Sequence, residues 1–175
     1  MYWLMMLSTL LIGVGLWTLA EWIIHGKLVH LMKTPATTLH MTHHKNPKLV
    51  FTPWLIWIPI AVGVYGLSMV FLGVWIGGVF STGFVGGFLR YEYLHWRIHF
   101  KEPRSRREQR RKAHHLAHHY VDAASYHGVT TAFWDRVFRT LPDDFEAAYE
   151  QVGNRPPMEG PTNLGRLWGG PAEKV

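Results

Sequence analysis

The sequence predicts an all-α integral membrane protein with about three transmembrane helices and a cytoplasmic helical cap. Three observations predict it. Side chains of Asp, Glu, Lys and Arg are absent from Met1 to Ala20 and again from Leu49 to Leu89, and a spanning helix needs roughly 20 such apolar residues. The 12 histidines cluster at separations of three and four, the spacing that shares one face of a helix. Lysines and arginines border the apolar runs instead of interrupting them.

At 175 residues the chain has the length of one domain. Charged residues make up only 17%, below the roughly 25% of soluble proteins. The net charge of +6 suits either nucleic acid or an anionic lipid surface. The arginine-rich run "RSRREQRRK" (Arg104 to Lys112) lies so near a membrane segment that the lipid surface is the better partner, with no nucleic acid expected. The chain has no cysteine, which excludes disulfides, thiolate metal sites and Cys-ligated iron–sulfur clusters.

Along the chain, Met1 to Ile24 reads as one transmembrane helix. A basic n-region is missing, and "EWIIHGKLVH" continues the helix with no small-residue cleavage site, so a signal peptide is the poorer reading. Leu49 to Leu89 is twice the length of one crossing and reads as a helical hairpin turning between Gly63 and Gly73. Pro53 and Pro59 are tolerated near its start. Pro103 separates a helix at about Phe88 to Phe100 from another at about Arg106 to Tyr120. "LPDDFEAAYEQV" reads as a short surface helix with acids in its first turn. Residues 154–175 are rich in Gly and Pro and are expected to form a poorly ordered tail, leaving 1–153 as the domain.

The hairpin returns the chain to the side it left. Both histidine groups, His25 to His44 and His95 to His127, therefore face one compartment. Lys27, Lys33, Lys45, Lys48, Arg90, Arg97 and the arginine run lie there too, and the positive-inside rule makes that side cytoplasmic, in a bacterial inner membrane or the endoplasmic reticulum.

Four histidine clusters result: His25 with His30; His40, His43 and His44; His95 with His99; and His115, His118 and His119. Each His-x-x-His-His triplet can aim two or three imidazoles at one point. The five-residue separation of His25 and His30 turns through roughly 140° of α-helix, so these two either serve different ions or sit on a distorted helix. One ion takes four to six ligands, so ten imidazoles imply two. All-imidazole ligation suits Fe, Zn, Cu or Ni rather than Mg or Ca. Beside so many fixed positive charges, imidazoles stay neutral most readily when a metal holds them so. His114 and His127 fall outside the repeated spacings. Glu21 and Tyr91, each one turn before a histidine, are candidate acceptors for ring N–H groups. Asp135 is either another such acceptor or a partner for Arg136 or Arg139. The tryptophans, among them Trp3, Trp22, Trp54 and Trp134, read as interface anchors and packing.

From about Trp17 to Leu141 these residues resemble the fatty acid hydroxylase superfamily of membrane di-metal oxygenases. The resemblance rests on "EWIIHGKLVH", "HMTHHKNPKLVFTP", "YEYLHWRIHF" and "HHLAHHYVDAASYHGVTTAFWDRVF". The text around the boxes is most similar to the fatty acid 2-hydroxylase branch. That resemblance implies hydroxylation of a long-chain fatty acyl group from the bilayer at the carbon next to the carbonyl, consuming dioxygen and two electrons. It carries over His25, His30, His40, His43, His44, His95, His99, His115, His118 and His119 as metal ligands. Iron is implied in the active form because zinc cannot cycle electrons. Many eukaryotic members carry a fused haem domain and this chain has no room for one, so a separate electron-transfer protein is expected. His127 stands where that branch more often has an apolar residue, and the first membrane hairpin looks shortened to one helix. The polar head is expected near the cytoplasmic histidines, held by Lys45 or the arginine run. A sterol- or carotenoid-type hydroxylase or desaturase, and a redox-silent zinc membrane protein, are the alternatives.

Overall fold

The structure, a computed structural model, describes residues 1–164. Within them every regular element is helical: α1 (Tyr2–Ile23), a π-helical turn (Ile24–Leu28), α2 (Val29–Leu31), α3 (Pro35–Lys45), α4 (Trp54–Leu72), α5 (Val74–Phe100), α6 (Arg106–Tyr120), α7 (Phe133–Val137) and α8 (Phe145–Gly153). Two helical stretches, Tyr2–Leu28 and Trp54–Leu72, are long and apolar enough to cross a membrane, and both are largely uncovered by the rest of the protein. The hairpin turn falls at Gly73, whose φ of 79° is cheap only for a residue without Cβ.

The sequence predicts a separate helix starting at about Phe88. The structure instead runs α5 unbroken from Val74 to Phe100: no proline lies between the apolar and histidine-bearing halves, and the Gly86–Gly87 pair stays helical, with Trp17 packed against Gly87.

α4 and α5 are antiparallel. The Ser81 hydroxyl donates to the Val64 carbonyl (3.3 Å), Tyr65 and Thr82 pair through their hydroxyls (3.1 Å), and Trp57 reaches Phe88 near the far end. α1 and α5 run parallel: Leu10 lies against Gly83, and Trp17 against Gly87, Phe88 and Tyr91. This contact is backbone-close. A Cβ on Gly13 would collide with the Phe80 carbonyl oxygen, and one on Gly83 with that of Leu10. Small residues at such crossings let apolar helices gain packing where water supplies no hydrophobic drive.

The polar half is anchored by caps. Thr34 and Thr37 form a reciprocal capping box with Pro35 at the first helical position, which starts α3 at a fixed place before His40. Ser105 accepts from the Glu108 N–H to start α6, and the Glu108 carboxylate takes Arg97 and the Arg104 N–H, both at 2.8 Å, fastening the α5–α6 corner after Pro103. This half also holds a small apolar core. Ile98, Ala113, Leu116, Ala117, Tyr126, Val129 and Val152 are all at most 5% exposed, and join α5, α6, α8 and the 121–132 loop into one block.

Of the tail expected at 154–175, residues 165–175 lie outside the described residues. The preceding part is hydrogen-bonded to the domain. Met158 N–H donates to the His99 carbonyl (2.7 Å), and Asn163 exchanges two hydrogen bonds with the Phe51 backbone (3.0 and 2.7 Å).

Candidate metal centre

Ten imidazoles from the π-helical turn, α2, α3, α5 and α6 converge. His43, His95, His99, His115 and His119 form one group, and His25, His40, His44 and His118 a second; within each, the candidate ligand atoms all lie within 4.8 Å of one another. His30 adjoins the second group, its Nε2 lying 2.9 Å from that of His40 and 3.4 Å from that of His118.

The groups assemble through Nε2. Those of His95 and His43 stand 3.0 Å apart, His43 and His119 3.1 Å, and His119 and His115 3.1 Å; in the second group His40 and His44 are 2.9 Å apart, and His44 and His118 3.1 Å. Two nitrogens bound at about 2.1 Å to one ion, at right angles, stand about 3.0 Å apart. The residues therefore fit a pair of metal ions.

Tautomers agree with that fit. His118 Nδ1 is 2.8 Å from the Ser125 carbonyl, which only accepts, so Nδ1 carries the hydrogen and Nε2 presents a bare lone pair. His25 Nδ1 is similarly set on the His127 carbonyl. Burial, reinforced by neighbouring imidazoles, holds His43, His115, His118 and His119 well below their usual protonation range. Neutral, convergent imidazoles are what metal binding requires.

The π-helical turn answers the question raised by the spacing of His25 and His30. Val29 N–H reaches back five residues to the Ile24 carbonyl, so His30 comes round towards His25, with ring centroids 6.3 Å apart. The helix is distorted, and both histidines serve the same group.

His114 and His127 stand outside both groups. His114 is fully buried, with Nε2 3.0 Å from Asp135 and Nδ1 2.6 Å from the Tyr149 hydroxyl. Asp135 settles into the role of acceptor rather than a partner for Arg136 or Arg139. It takes the backbone N–H groups of His127 (2.8 Å) and Gly128 (2.9 Å), the Thr140 hydroxyl (2.7 Å) and the Trp22 indole (3.2 Å). It thereby fixes the loop whose carbonyls orient His25 and His118.

Glu21 does not reach His25. Its carboxylate accepts the Val129 and Thr130 N–H groups, both at 2.7 Å, and the Thr130 hydroxyl, tying the same loop to the end of α1. Tyr91 stacks on His95 at 5.4 Å, but His95 Nδ1 has no hydrogen-bond partner among the described residues. Sequence reasoning missed the Ser125 and His127 carbonyls, since backbone acceptors carry no sequence signal.

A cavity of about 330 Å³ ends at this centre. Trp57, Ala61 and Val64 of α4 and Phe84, Val85 and Phe88 of α5 form its apolar part, and His25, His40, His43 and His95 close its polar end. Neither Lys45 nor any residue of the arginine run lines it, contrary to the placement expected for a polar head.

Fold and site together define a helical protein with apolar, membrane-length helices and paired all-histidine clusters able to hold metal ions. The fatty acid hydroxylase family profile matches residues 10–140, and the chain belongs to that family. It is 34% identical over 148 residues to the fatty acid 2-hydroxylase of Homo sapiens, covering 75% of this chain and 38% of that protein. It is 31% identical over 140 residues to the dihydroceramide fatty acyl 2-hydroxylase of Arabidopsis thaliana, covering 74% and 59%. With the ceramide very long chain fatty acid hydroxylase of Schizosaccharomyces pombe it shares 34% over 143 residues, covering 74% and 41%. The solved structure of full-length scs7p, in which only the hydroxylase domain is visible, matches with a TM-score of 0.70 at 26% identity, covering 89% of this chain and 60% of that one. The chain thus spans about two fifths of the human and fission-yeast proteins' length.

Proposed function

We propose that the protein is a membrane-embedded di-metal oxygenase that hydroxylates a long-chain fatty acyl group at the carbon next to its carbonyl. One observation carries this reading: the cavity is apolar along α4 and α5 and ends on imidazoles of both clusters. The names of the similar proteins supply the position of hydroxylation. The ten histidines would hold a pair of iron ions, which when bound would supply oxygen-activating redox chemistry that no side chain here possesses. The reaction converts the acyl C–H bond, one dioxygen, two electrons and two protons into an alcohol and a water, with the electrons drawn from a separate carrier protein.

The chain's own residues bind and position. The cavity wall holds the acyl chain extended and excludes water, and its mouth leads from the bilayer. Its lining contains no Lys or Arg, and an unpaired carboxylate in such surroundings is costly. The preferred substrate is therefore a neutral acyl amide or ester rather than a free acid. Val74 to Leu89 makes a third crossing, because this part of α5 lies parallel to α1 and antiparallel to α4. The centre then faces the cytoplasm, with the basic residues.

The test is mass spectrometry of products formed under heavy-isotope dioxygen by iron-loaded protein with reductant. The label should appear in the hydroxyl beside the carbonyl, and zinc-loaded protein should be inert because zinc has no accessible redox step. Turnover by the zinc form without reductant, or oxygen drawn from water, would overturn the reading in favour of hydrolytic chemistry.

A further inference from the structure

The π-helical turn is gripped by a single residue of the distant 121–132 loop. The His127 carbonyl accepts from His25 Nδ1. The His127 ring lies against Gly26, the next residue: a Cβ there would stand 2.5 Å from the ring's Cγ and 2.6 Å from its Nδ1. Gly26 thus leaves the gap the ring occupies, in the middle of the turn. Among the rings, Trp22, His118 and His30 stand near it, at centroid distances of 5.9, 5.6 and 6.3 Å.

The ring is 1% exposed, and neither nitrogen has a hydrogen-bond partner among the described residues. The nearest acidic group, Asp135, is 3.8 Å from Nδ1 and already takes the His127 N–H. A buried imidazole with nothing bonded to either nitrogen contributes through its shape.

We propose that His127, seated in the gap left by Gly26, is a positioning residue that sets the register of the π-helical turn and so brings His25 and His30 to the same metal ion. Without that register the two histidines, five residues apart, revert to α-helical geometry and point roughly 140° apart. The second group then loses a ligand while the first, built from α3, α5 and α6, is unaffected. An aromatic ring without nitrogens should do the same work.

This inference rests on the metal-binding reading, and metal content of the full-length protein tests both separately. Wild-type protein should hold about two ions per chain; none would overturn the metal centre itself. Gly26→Ala should fall to about one ion, with the cobalt-substituted spectrum losing the contribution of one site only. His127→Phe should keep two ions and the wild-type cobalt spectrum, while His127→Ala should behave as Gly26→Ala does. Should Gly26→Ala fail to fold, His127→Ala, which adds no atom, carries the same comparison with His127→Phe. Two ions with an unchanged spectrum in both Gly26→Ala and His127→Ala would overturn the proposal. Loss of an ion in His127→Phe would also overturn it, by showing that the nitrogens matter.

Discussion

The imidazoles of His44 and His119 stack face to face, with centroids 4.2 Å apart and planes 15° apart. His44 belongs to one histidine group and His119 to the other. The two groups thus share a wall, and a change in one ring is felt by both.

His119→Ala should therefore weaken both sites rather than one. Elemental analysis should find fewer than one ion per chain retained, with affinity at the neighbouring group lowered tenfold or more, on the order seen when an orienting contact is lost. His30→Ala, which touches only the second group, should lower the ion count of that group alone.

Asp135 accepts from five donors, counting His114, in a site with no solvent exposure. Asp135→Ala would leave several buried N–H groups unpaired, at a cost of about 4 kcal/mol or more. Thermal unfolding of the detergent-solubilised protein should show it. Asp135→Asn, which keeps some acceptors, should lose less stability.

Burial pushes Glu92 up to about 7 from its usual 4.5, against hydrogen bonds from the Thr52 N–H and hydroxyl that favour its charged form. An acid whose pKa is raised on folding stabilises fully below its unfolded value and ceases to do so as pH rises through the folded one. Stability should therefore fall by on the order of 3 kcal/mol as pH rises from about 4.5 to above 7. Unfolding followed across that range should flatten in Glu92→Gln; an unchanged slope would assign it to another group.

Ala61 of α4 faces the cavity away from the histidines. Ala61→Phe should shorten the space available to an acyl chain, moving the product distribution towards shorter chains with metal content unchanged. Lipid profiling of expressing cells reads this directly.

Much of the site was legible because helices repeat. His40 with His44, and His115 with His119, announce their shared groups by a spacing of four, whereas His43 and His118, between them, turn to the opposite group, which spacing alone does not tell. His25 and His30 did not announce theirs, since a π-helical turn is imposed by Gly26 and a loop a hundred residues away. Spacing makes Glu21 a candidate acceptor for its helical neighbour His25, yet it bonds Val129 and Thr130: local spacing cannot see a loop folding back. Membrane-length stretches were clear from missing charge, whereas the length of α5 was not. Its glycines and the switch from apolar to polar residues near Arg90 resemble a boundary, but neither breaks a backbone hydrogen bond.

That uninterrupted helix has a mechanical consequence. Phe88 on the cavity wall and His95 in the first histidine group sit on one rigid rod, separated by about 10 Å of rise. Under the proposed function the rod would work as a gauge, because an acyl chain seated against its apolar half would meet the imidazoles at a depth counted in residues. Deleting one residue between them would turn His95 and His99 by about 100° relative to the wall, so in the proposed reaction the length of this segment would set which carbon is selected.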